Sequence, residues 1–243
     1  MSHKMNGSIM VCGLFLAVGV AVAGHLVGTG FVEGRQPVRS VTVKGLAEKV
    51  VRADIANWPL RFVAAGSSLS ETQAKIENDT AIVVDFLVNG GVPAGDVRPQ
   101  RLEVVDQLAQ QYRSGQIQGN RFIISRTILV RTEVVDVIER LSADTGEIVK
   151  KGVILSDVMG PSYSYTRLNE VKPGMIAEAT RGARASAVQF AADSGSDVGD
   201  ILHANQGYFQ ILPLVPDMHG GGESTQVDKL VRVVTTVDYQ LED

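Results

Sequence analysis

The chain of 243 residues opens on an apolar run that divides it into two parts. From Ile9 to Phe31 no residue carries a formal charge, and His25 is the one residue of that run able to take up a proton near neutral pH. At about 1.5 Å per residue in a helix, the run covers roughly 30 Å, the thickness of a bilayer's hydrocarbon core. We therefore expect a transmembrane helix in residues 1–32, a tether in residues 33–39 and a folded domain in residues 40–243.

A cleaved signal peptide is the alternative interpretation of this run. Residues 21–23 read Ala-Val-Ala, which matches the A-x-A cleavage pattern, and Ile9 to Val20 would form the apolar region before it. We favour an uncleaved signal anchor because apolar residues continue past Ala23 to Leu26 and beyond. Both interpretations export the bulk of the chain. The anchor predicts a single-pass inner-membrane protein with a cytoplasmic N-terminus and the domain in the periplasm.

Composition restricts the classes of partner and of covalent framework. A hydrophobic fraction of 44% suffices for a folded core, and the formal net charge of −4, without a cluster of lysine or arginine, argues against nucleic acid. The single cysteine, Cys12, excludes an intramolecular disulfide and a cysteine-based metal site. Val11 before it does not fit a lipoprotein signal.

The first half of the exported part alternates strand and helix patterns. We expect strands at Ser40–Gly45, Val50–Ala65, Val97–Val105 and Arg121–Arg131, and helices at Ser70–Val88 and Thr132–Asp144. In the second strand, Trp58 and Phe62 share one face, and Pro59 predicts a bulge or an edge position. This ββαββα order is typical of an α+β fold, with antiparallel sheets and helices packed on one face.

The second half continues in the order β-α-ββ-β. A strand is expected at Val153–Ser156, then a helix from Pro173 to Gly195, hairpin strands at Val198–Asn205 and Tyr208–Leu212, and a last strand at Leu230–Leu241. Within the helix, small side chains repeat every four residues: Ala179, Ala183, Ala187 and Ala191. Such a stripe lets a helix lie close to another element. We expect it to face its own sheet, with a subunit contact as the alternative.

No pattern in the sequence predicts catalysis. His203 falls in an expected strand and His219 in a Gly-rich loop, and the chain has no Gly-x-Ser-x-Gly elbow that would present a serine to either of them. The glycines at 220–222 are not followed by the Lys-Ser/Thr pair of a phosphate-binding loop. We therefore predict no catalytic and no cofactor-binding residues, and no enzyme activity.

Metal binding has one weak candidate. Asp193, Asp197 and Asp200 offer oxygen ligands for a hard cation, but their spacing departs from that of a calcium-binding EF-hand loop. Helix-capping and turn residues account for them better. We predict no metal site.

Two long loops are the candidate surfaces for a ligand or for self-association. They are Gln107–Asn120 and Pro213–Thr225, and long loops in compact domains often bind. Four tyrosines are candidates for such surfaces, and each is also compatible with a half-buried position in the domain: Tyr112, Tyr163, Tyr165 and Tyr208.

The C-terminal third carries a family resemblance. The stretch Met175–Asp197 contains an alanine-rich helix that ends at Gly195. It leads into Val198–Ile211, where two short strands are joined by Asn205-Gln206-Gly207. This segment resembles the SIMPL-domain family, also called DUF541. Four further segments resemble the family and occur in the family's order along the chain: Val41–Glu48, Ala53–Trp58, Asn169–Met175 and Lys229–Tyr239.

The resemblance implies an α+β protein of the bacterial envelope. Relatives look like ring-forming homo-oligomers, some are linked to tolerance of oxidative stress, and the family has no agreed catalytic residues to carry over. We therefore expect a membrane-anchored protein that forms a ring-like homo-oligomer with a structural or binding role. Its expected partners are copies of itself, the lipid bilayer and an unidentified envelope ligand. The alternative is a periplasmic module that binds a peptide or small ligand through the long loops.

Overall fold

A computed structural model describes residues 3–33, 39–109, 120–156, 160–216 and 222–243. Most of the expected tether and of the loop Gln107–Asn120 lies outside these residues, as do Tyr112 and His219. The described residues divide into two compact units, one within 1–43, 186–204 and 237–243, and one within 44–185 and 205–236. We call these unit 1 and unit 2.

Helices and strands alternate along the chain in an α+β order. The helices are α1 His3–Glu33, α2 Leu69–Asn89, α3 Val135–Ala143, α4 Gly146–Lys150 and α5 Leu168–Ser194, with short 3₁₀ turns at Ala94–Asp96 and Glu223–Thr225. The strands are β1 Ser40–Arg52, β2 Ile55–Gly66, β3 Val97–Pro99, β4 Glu103–Asp106, β5 Phe122–Thr132, β6 Ile154–Leu155, β7 Ser162–Ser164, β8 Asp197–Gln206, β9 Gln210–Pro213 and β10 Asp228–Glu242. The predicted α+β class, with antiparallel sheets and packed helices, is confirmed, and this confirmation does not extend to the transmembrane helix expected in residues 1–32.

The helix α1 is continuous over 31 residues. Its described side chains, those of residues 13–29, are all exposed. Within the part of the chain that the structure describes, no helix meets the length and apolarity needed to cross a membrane.

A six-stranded sheet forms the main core of unit 2. Its order is β3-β5-β2-β6, with β4 also paired to β5 and β7 also paired to β2, and each of these pairings is antiparallel. β2 alternates buried and half-buried positions. Trp58 and Phe62 share one face, as predicted, and that face is the buried one. Side chains of α2, α3 and α4, among them Ile76, Ile138 and Ile148, complete this core.

Pro59 lies in the middle of this sheet, where the sequence predicted a bulge or an edge. On one side β5 pairs with β2 from Ala56 to Gly66. On the other side β7 pairs only with Ile55–Asn57 and β6 only with Phe62 and Val63. The proline therefore lies opposite a gap between two short strands, where its missing N–H costs no ladder hydrogen bond.

The second sheet has the order β1-β10-β8, with β9 also paired to β10. Within unit 2, α5 packs on β1 so closely that a Cβ on Gly45 would overlap the carbonyl oxygen of Ala179 and lie 2.7 Å from the nitrogen of Ala183. The four alanines of the stripe are at most 2% exposed. The prediction that this stripe faces its own sheet is confirmed for its first two members.

Several expected boundaries are wrong for identifiable reasons. β1 continues to Arg52 and the chain reverses at Ala53 and Asp54, because backbone and side-chain bonds of Asp54 fix a turn there. The helix expected from Thr132 begins at Val135, since Thr132 still belongs to β5. The strand expected at Val97–Val105 is divided into β3 and β4.

Two expectations for the second half also fail. α5 begins at Leu168 rather than Pro173, because Leu168 and Val171 already pack on the apolar cluster beneath the helix. The strands on either side of Asn205–Gly207 are not a hairpin, since β8 and β9 both lie beside β10. Gly207 lies close to β10: its N–H donates to Val234 O at 2.9 Å, and a Cβ on it would come within 2.6 Å of that oxygen. The chain therefore continues along β10 instead of turning back.

Candidate functional site

An open cleft of about 620 Å³ lies in unit 2. The turn between β1 and β2, the residues that lead into α3, and the two residues before α5 line it. These lining residues are Arg52, Ala53, Asp54, Ile55, Glu133, Val134, Val135, Asp136, Val137, Thr166 and Arg167.

The β1–β2 turn is held by backbone bonds to two other segments. Ala53 N donates to Val227 O at 2.8 Å, just before β10 begins. Asp54 N donates to Ser164 O at 2.9 Å, at the end of β7. Neighbouring residues of one turn are thus tied to segments more than a hundred positions away. This fixes the backbone from which the charged side chains of the cleft project.

Asp54 is a buried carboxylate with three donors. Its Oδ1 accepts from Thr166 N at 2.8 Å, and its Oδ2 accepts from Thr166 Oγ1 at 2.9 Å and from Arg167 Nε at 3.1 Å. Burial acts to raise the pKa of this carboxyl, but the bonds from Thr166 and Arg167 together outweigh it and lower the pKa. Asp54 is therefore ionised, and its role is to position Thr166 and Arg167 rather than to exchange protons.

Arg52 joins three elements through carboxylates. Its guanidinium pairs with Asp136, and it lies 3.3 Å from Glu139 on the same helix and 3.3 Å from Asp228 at the start of β10. The hydrogen bond to Asp136 is the largest cause of the raised pKa of Arg52. Its side chain is 49% exposed. A half-exposed network of this kind is screened by solvent and contributes little to stability.

The described lining of the cleft is strongly charged. Its described lining contains two arginines and three carboxylates but no histidine, cysteine or serine. The one hydroxyl, on Thr166, donates to Asp54. No nucleophile beside a base is therefore present among the described lining residues.

A second cleft of about 400 Å³ includes Glu139 and Asp228, two of the carboxylates that pair with Arg52. Glu139, Tyr163, Leu214, Val215 and the segment Thr225–Asp228 line it. The Gln226 side chain acts as a short strand partner for Val215: its Nε2 donates to Val215 O at 2.6 Å, and its Oε1 accepts from Val215 N at 3.0 Å.

Two of the four tyrosines named from the sequence have opposite environments. Burial raises the pKa of Tyr163, which is only 5% exposed, and Glu139 acts in the same direction. Tyr208 is 95% exposed. The cleft beside Tyr163 uses part of the loop Pro213–Thr225 that the sequence singled out for binding.

The other candidates named from the sequence do not converge on one place. His203 is an exposed residue of β8. Asp193 lies one residue before the end of α5, and its Oδ1 accepts from Gln189 Nε2 at 3.1 Å, while Asp197 and Asp200 lie on β8. Among the described residues, no three His, Cys, Asp or Glu side chains are grouped so as to hold a metal ion.

Sequence reasoning missed the charged residues of the large cleft. Arg52 and Asp54 end one strand and precede the next, which reads as an ordinary solvated turn. Arg167 lies more than a hundred positions away. The one signal was Asp54 itself, since an aspartate between two apolar strands often accepts bonds from a turn.

Comparison with models of known protein families gives a match. A family model named SIMPL and described as a protein of unknown function (DUF541) matches residues 41–238. This match confirms the resemblance drawn from the sequence. No curated protein matches the chain.

Proposed function

The chain belongs to the SIMPL family, and from this premise we propose that it is an envelope protein that α1 anchors in the inner membrane and that assembles with copies of itself. Its domain then lies in the periplasm and its N-terminus in the cytoplasm. The role of the assembly is structural or binding, without catalysis.

The observation that carries the proposal is the apolar surface of α1. Leu14, Phe15 and Leu16 are consecutive, so they point to all sides of a helix, and each is at least 67% exposed. Val18, Val20 and Val22 continue this surface. A helix that is apolar on every side is stable in a medium that covers it completely, such as lipid or a bundle of like helices. The exposure of these apolar side chains on every side of α1 is what supports the anchor.

Self-assembly is supported by β8. β8 is the last strand in its sheet and therefore an edge strand, and none of its ten side chains is buried. An edge strand offers unpaired N–H and C=O groups to another chain. When one edge pairs with a different surface of the next copy and the rotation closes, the product is a ring.

The test begins with the protein taken from its native membrane in mild detergent. A native mass spectrum with one large, uniform multiple of the uncut subunit mass is the expected result. Monomers that lack the first 23 residues would overturn both the anchor and the assembly.

A pair of matched variants isolates the anchor. Leu16→Arg with Val20→Arg places two charges in α1, and we expect alkaline carbonate to release this variant from membranes. The control, Val104→Arg with Leu108→Arg, changes two similarly exposed apolar residues outside α1, and we expect it to stay in the pellet. Equal behaviour of the two variants would contradict the anchor.

A ligand-binding module is the second candidate function. The observation in its favour is the 620 Å³ cleft, in which Arg52 and Arg167 lie among carboxylates. Titration with a tetralysine and a tetraglutamate peptide at low salt would test it. Saturable binding that Arg52→Gln weakens, in a preparation that is monomeric in detergent, would favour this module over the assembly.

A contribution to stress tolerance is the part of the proposal that rests on resemblance alone. Cells without the protein should survive peroxide less well than cells that carry it. Restoration by the intact chain, but not by the Leu16→Arg and Val20→Arg variant, would link that role to the membrane.

A further inference from the structure

The sheet formed by β1 and β10 has one covered face in unit 2. Along β10, Val231, Val233 and Thr235 are at most 5% exposed, on the side where α5 packs. The residues between them, Leu230, Arg232 and Val234, are half-buried. The two sets alternate because successive side chains of a strand point to opposite faces.

The opposite face is open, and its β1 residues are more exposed than those of β10. Leu46 and Val50 are 46% and 56% exposed, and Glu48 between them is also exposed. We define the open face by six side chains that share this side of the sheet: Leu46, Glu48, Val50, Leu230, Arg232 and Val234.

Three contacts fix how these side chains are aligned. Ala53 N donates to Val227 O at 2.8 Å, Arg52 pairs with Asp228 at 3.3 Å, and Arg232 Nε lies 3.6 Å from Glu48 Oε1. Each contact joins positions whose numbers decrease on β10 as they increase on β1, as in an antiparallel pair. Leu46 therefore lies opposite Val234, and Val50 opposite Leu230. The open face consists of an apolar row, a charged row and a second apolar row.

This pattern differs from that of an ordinary solvated face. A sheet that faces water on one side alternates apolar inward and polar outward residues. Here the outward set itself contains two cross-strand apolar pairs on either side of the Glu48–Arg232 pair. An exposed ion pair at 3.6 Å contributes little within one chain. Both features suit a second sheet packed on this one.

We propose that the open face packs on the open face of a second copy of this chain, about a two-fold axis parallel to the strands. This inference rests on the proposed self-assembly and names the surface that carries it. The axis places β1 over β10 of the partner in both directions. Glu48 then faces the partner's Arg232, and Leu46 faces the partner's Val234. Val50 in the same way faces the partner's Leu230.

Charge complementarity selects this arrangement over the other two-fold stacking. An axis perpendicular to the strands would put Glu48 over its own equivalent and Arg232 over its own equivalent, and like charges across an interface are repulsive. The parallel axis gives two opposite-charge contacts between subunits. A two-fold contact uses the same patch twice, so each residue pair occurs twice.

Tyr208 extends the surface beyond the strands. It follows Gly207, whose N–H donates to Val234 O at 2.9 Å, so the backbone at this point lies beside the open face. Its neighbour Phe209 packs on the α5 side, where Lys172 Nζ lies 5.8 Å from the ring centroid. Tyr208 is left 95% exposed. Tyrosine is enriched among residues that dominate binding at interfaces.

The test uses charge reversal and mixing in the full-length protein in mild detergent. Glu48→Arg gives a face with two positive charges, and Arg232→Glu gives a face with two negative charges. We expect each variant alone to form assemblies of half the native mass or less, because loss of a two-fold contact separates its two halves. A one-to-one mixture of the two variants should regain the native mass.

The mixture distinguishes a contact between chains from one within a chain. Either substitution breaks the Glu48–Arg232 pair inside its own subunit, and mixing does not repair that pair. Recovery on mixing therefore requires contact between the two faces. The matched control, Asp85→Arg on the exposed side of α2, reverses a charge elsewhere and should leave the mass unchanged.

Three further outcomes are decisive. If both single variants keep the native mass, the open-face contact is wrong but self-assembly stands. That result is expected if the assembly forms through β8 alone. A monomeric unaltered chain overturns the proposed self-assembly and this inference with it. If a reversal prevents folding, Leu46→Ser tests the apolar row with all charges kept: reduced mass supports the contact, and unchanged mass contradicts it.

Discussion

Gly45 of β1 lies directly against the backbone of Ala179 in α5, at a separation that leaves no room for a side chain on Gly45. The alanine stripe makes this approach possible, because its small side chains let the helix axis come close to the sheet. The first prediction follows from this contact.

We expect Gly45→Ala to lower the free energy of unfolding by about 3 kcal/mol, since overpacking against backbone atoms cannot be relieved by rotating a side chain. Urea denaturation would measure it. The matched control is Gly174→Ala in α5, the helix that packs on Gly45, because an added Cβ at Gly174 meets no atom within 4 Å. That variant should gain up to about 1 kcal/mol from helix propensity. Equal effects of the two substitutions would disprove the close packing.

Asp54 predicts a dependence of stability on acid. Its pKa in the folded chain is lowered, so its contribution is complete above the unfolded value of about 3.9 and is lost as pH falls through the lower folded value. Unfolding followed between pH 6 and pH 2 should therefore show this loss in the native chain. Asp54→Asn should be less stable at pH 6 by about 2 kcal/mol and should show a shallower decline with acid.

Thr166→Val tests how much one of the hydrogen bonds to Asp54 contributes to stability. It keeps the shape of the side chain and the backbone bond to Asp54, and removes only the hydroxyl donor. We expect a smaller loss of about 1 kcal/mol at pH 6. A loss as large as that of Asp54→Asn would mean that the carboxylate acts chiefly through this one hydroxyl.

Substitution of Glu223 should destabilise the fold more than substitution of its partner Lys229. The Lys229 side chain is fully buried and its Nζ lies 2.6 Å from Glu223 Oε2, while Glu223 is 43% exposed. Glu223→Ala leaves a buried ammonium ion without its carboxylate, so we expect a loss of about 3 kcal/mol. Lys229→Met removes the buried charge and should cost less. Chemical denaturation of both variants and of the double variant measures this order, and a larger loss for Lys229→Met would refute it.

Arg52 predicts a small effect on stability. Its three carboxylate partners and its own side chain are each about half exposed or more. Arg52→Gln should therefore lower the free energy of unfolding by less than about 1 kcal/mol, and 1 M salt should reduce the difference. Thermal unfolding at low and high salt provides the measurement. A loss that salt does not alter would show that the alkyl chain, rather than the charge, is what matters there.

The periodic elements were the predictable part of the fold. The buried face of β2 and the inward stripe of α5 follow from spacings of two and four residues, and α2, expected at Ser70–Val88, runs from Leu69 to Asn89. Each of these patterns has its cause within one segment. The predicted element boundaries were wrong where contacts with a distant segment set the true boundary. One such place is Asp54, which accepts a hydrogen bond from Thr166, just before α5.

The clefts were not predictable from the same patterns. The predicted binding loop Pro213–Thr225 does contribute Leu214 and Val215 to the smaller cleft. The larger one is built by Arg52, Asp136 and Arg167, which belong to separate elements and show no common spacing. Their selection depends on how β1, α3 and α5 are brought together.

The family, the α+β class, the apolar N-terminal run and the elements whose periodicity reflects one buried face can all be read from the amino-acid sequence. Tertiary structure alone decided that β8 and β9 share one edge of β10, and that Arg52 meets a carboxylate 84 positions away on α3 and another 176 positions away on β10. The reason is physical. Burial repeats with the period of a helix or strand and so is visible along the chain, whereas a charge pairs with whatever the folded backbone brings within a few ångströms.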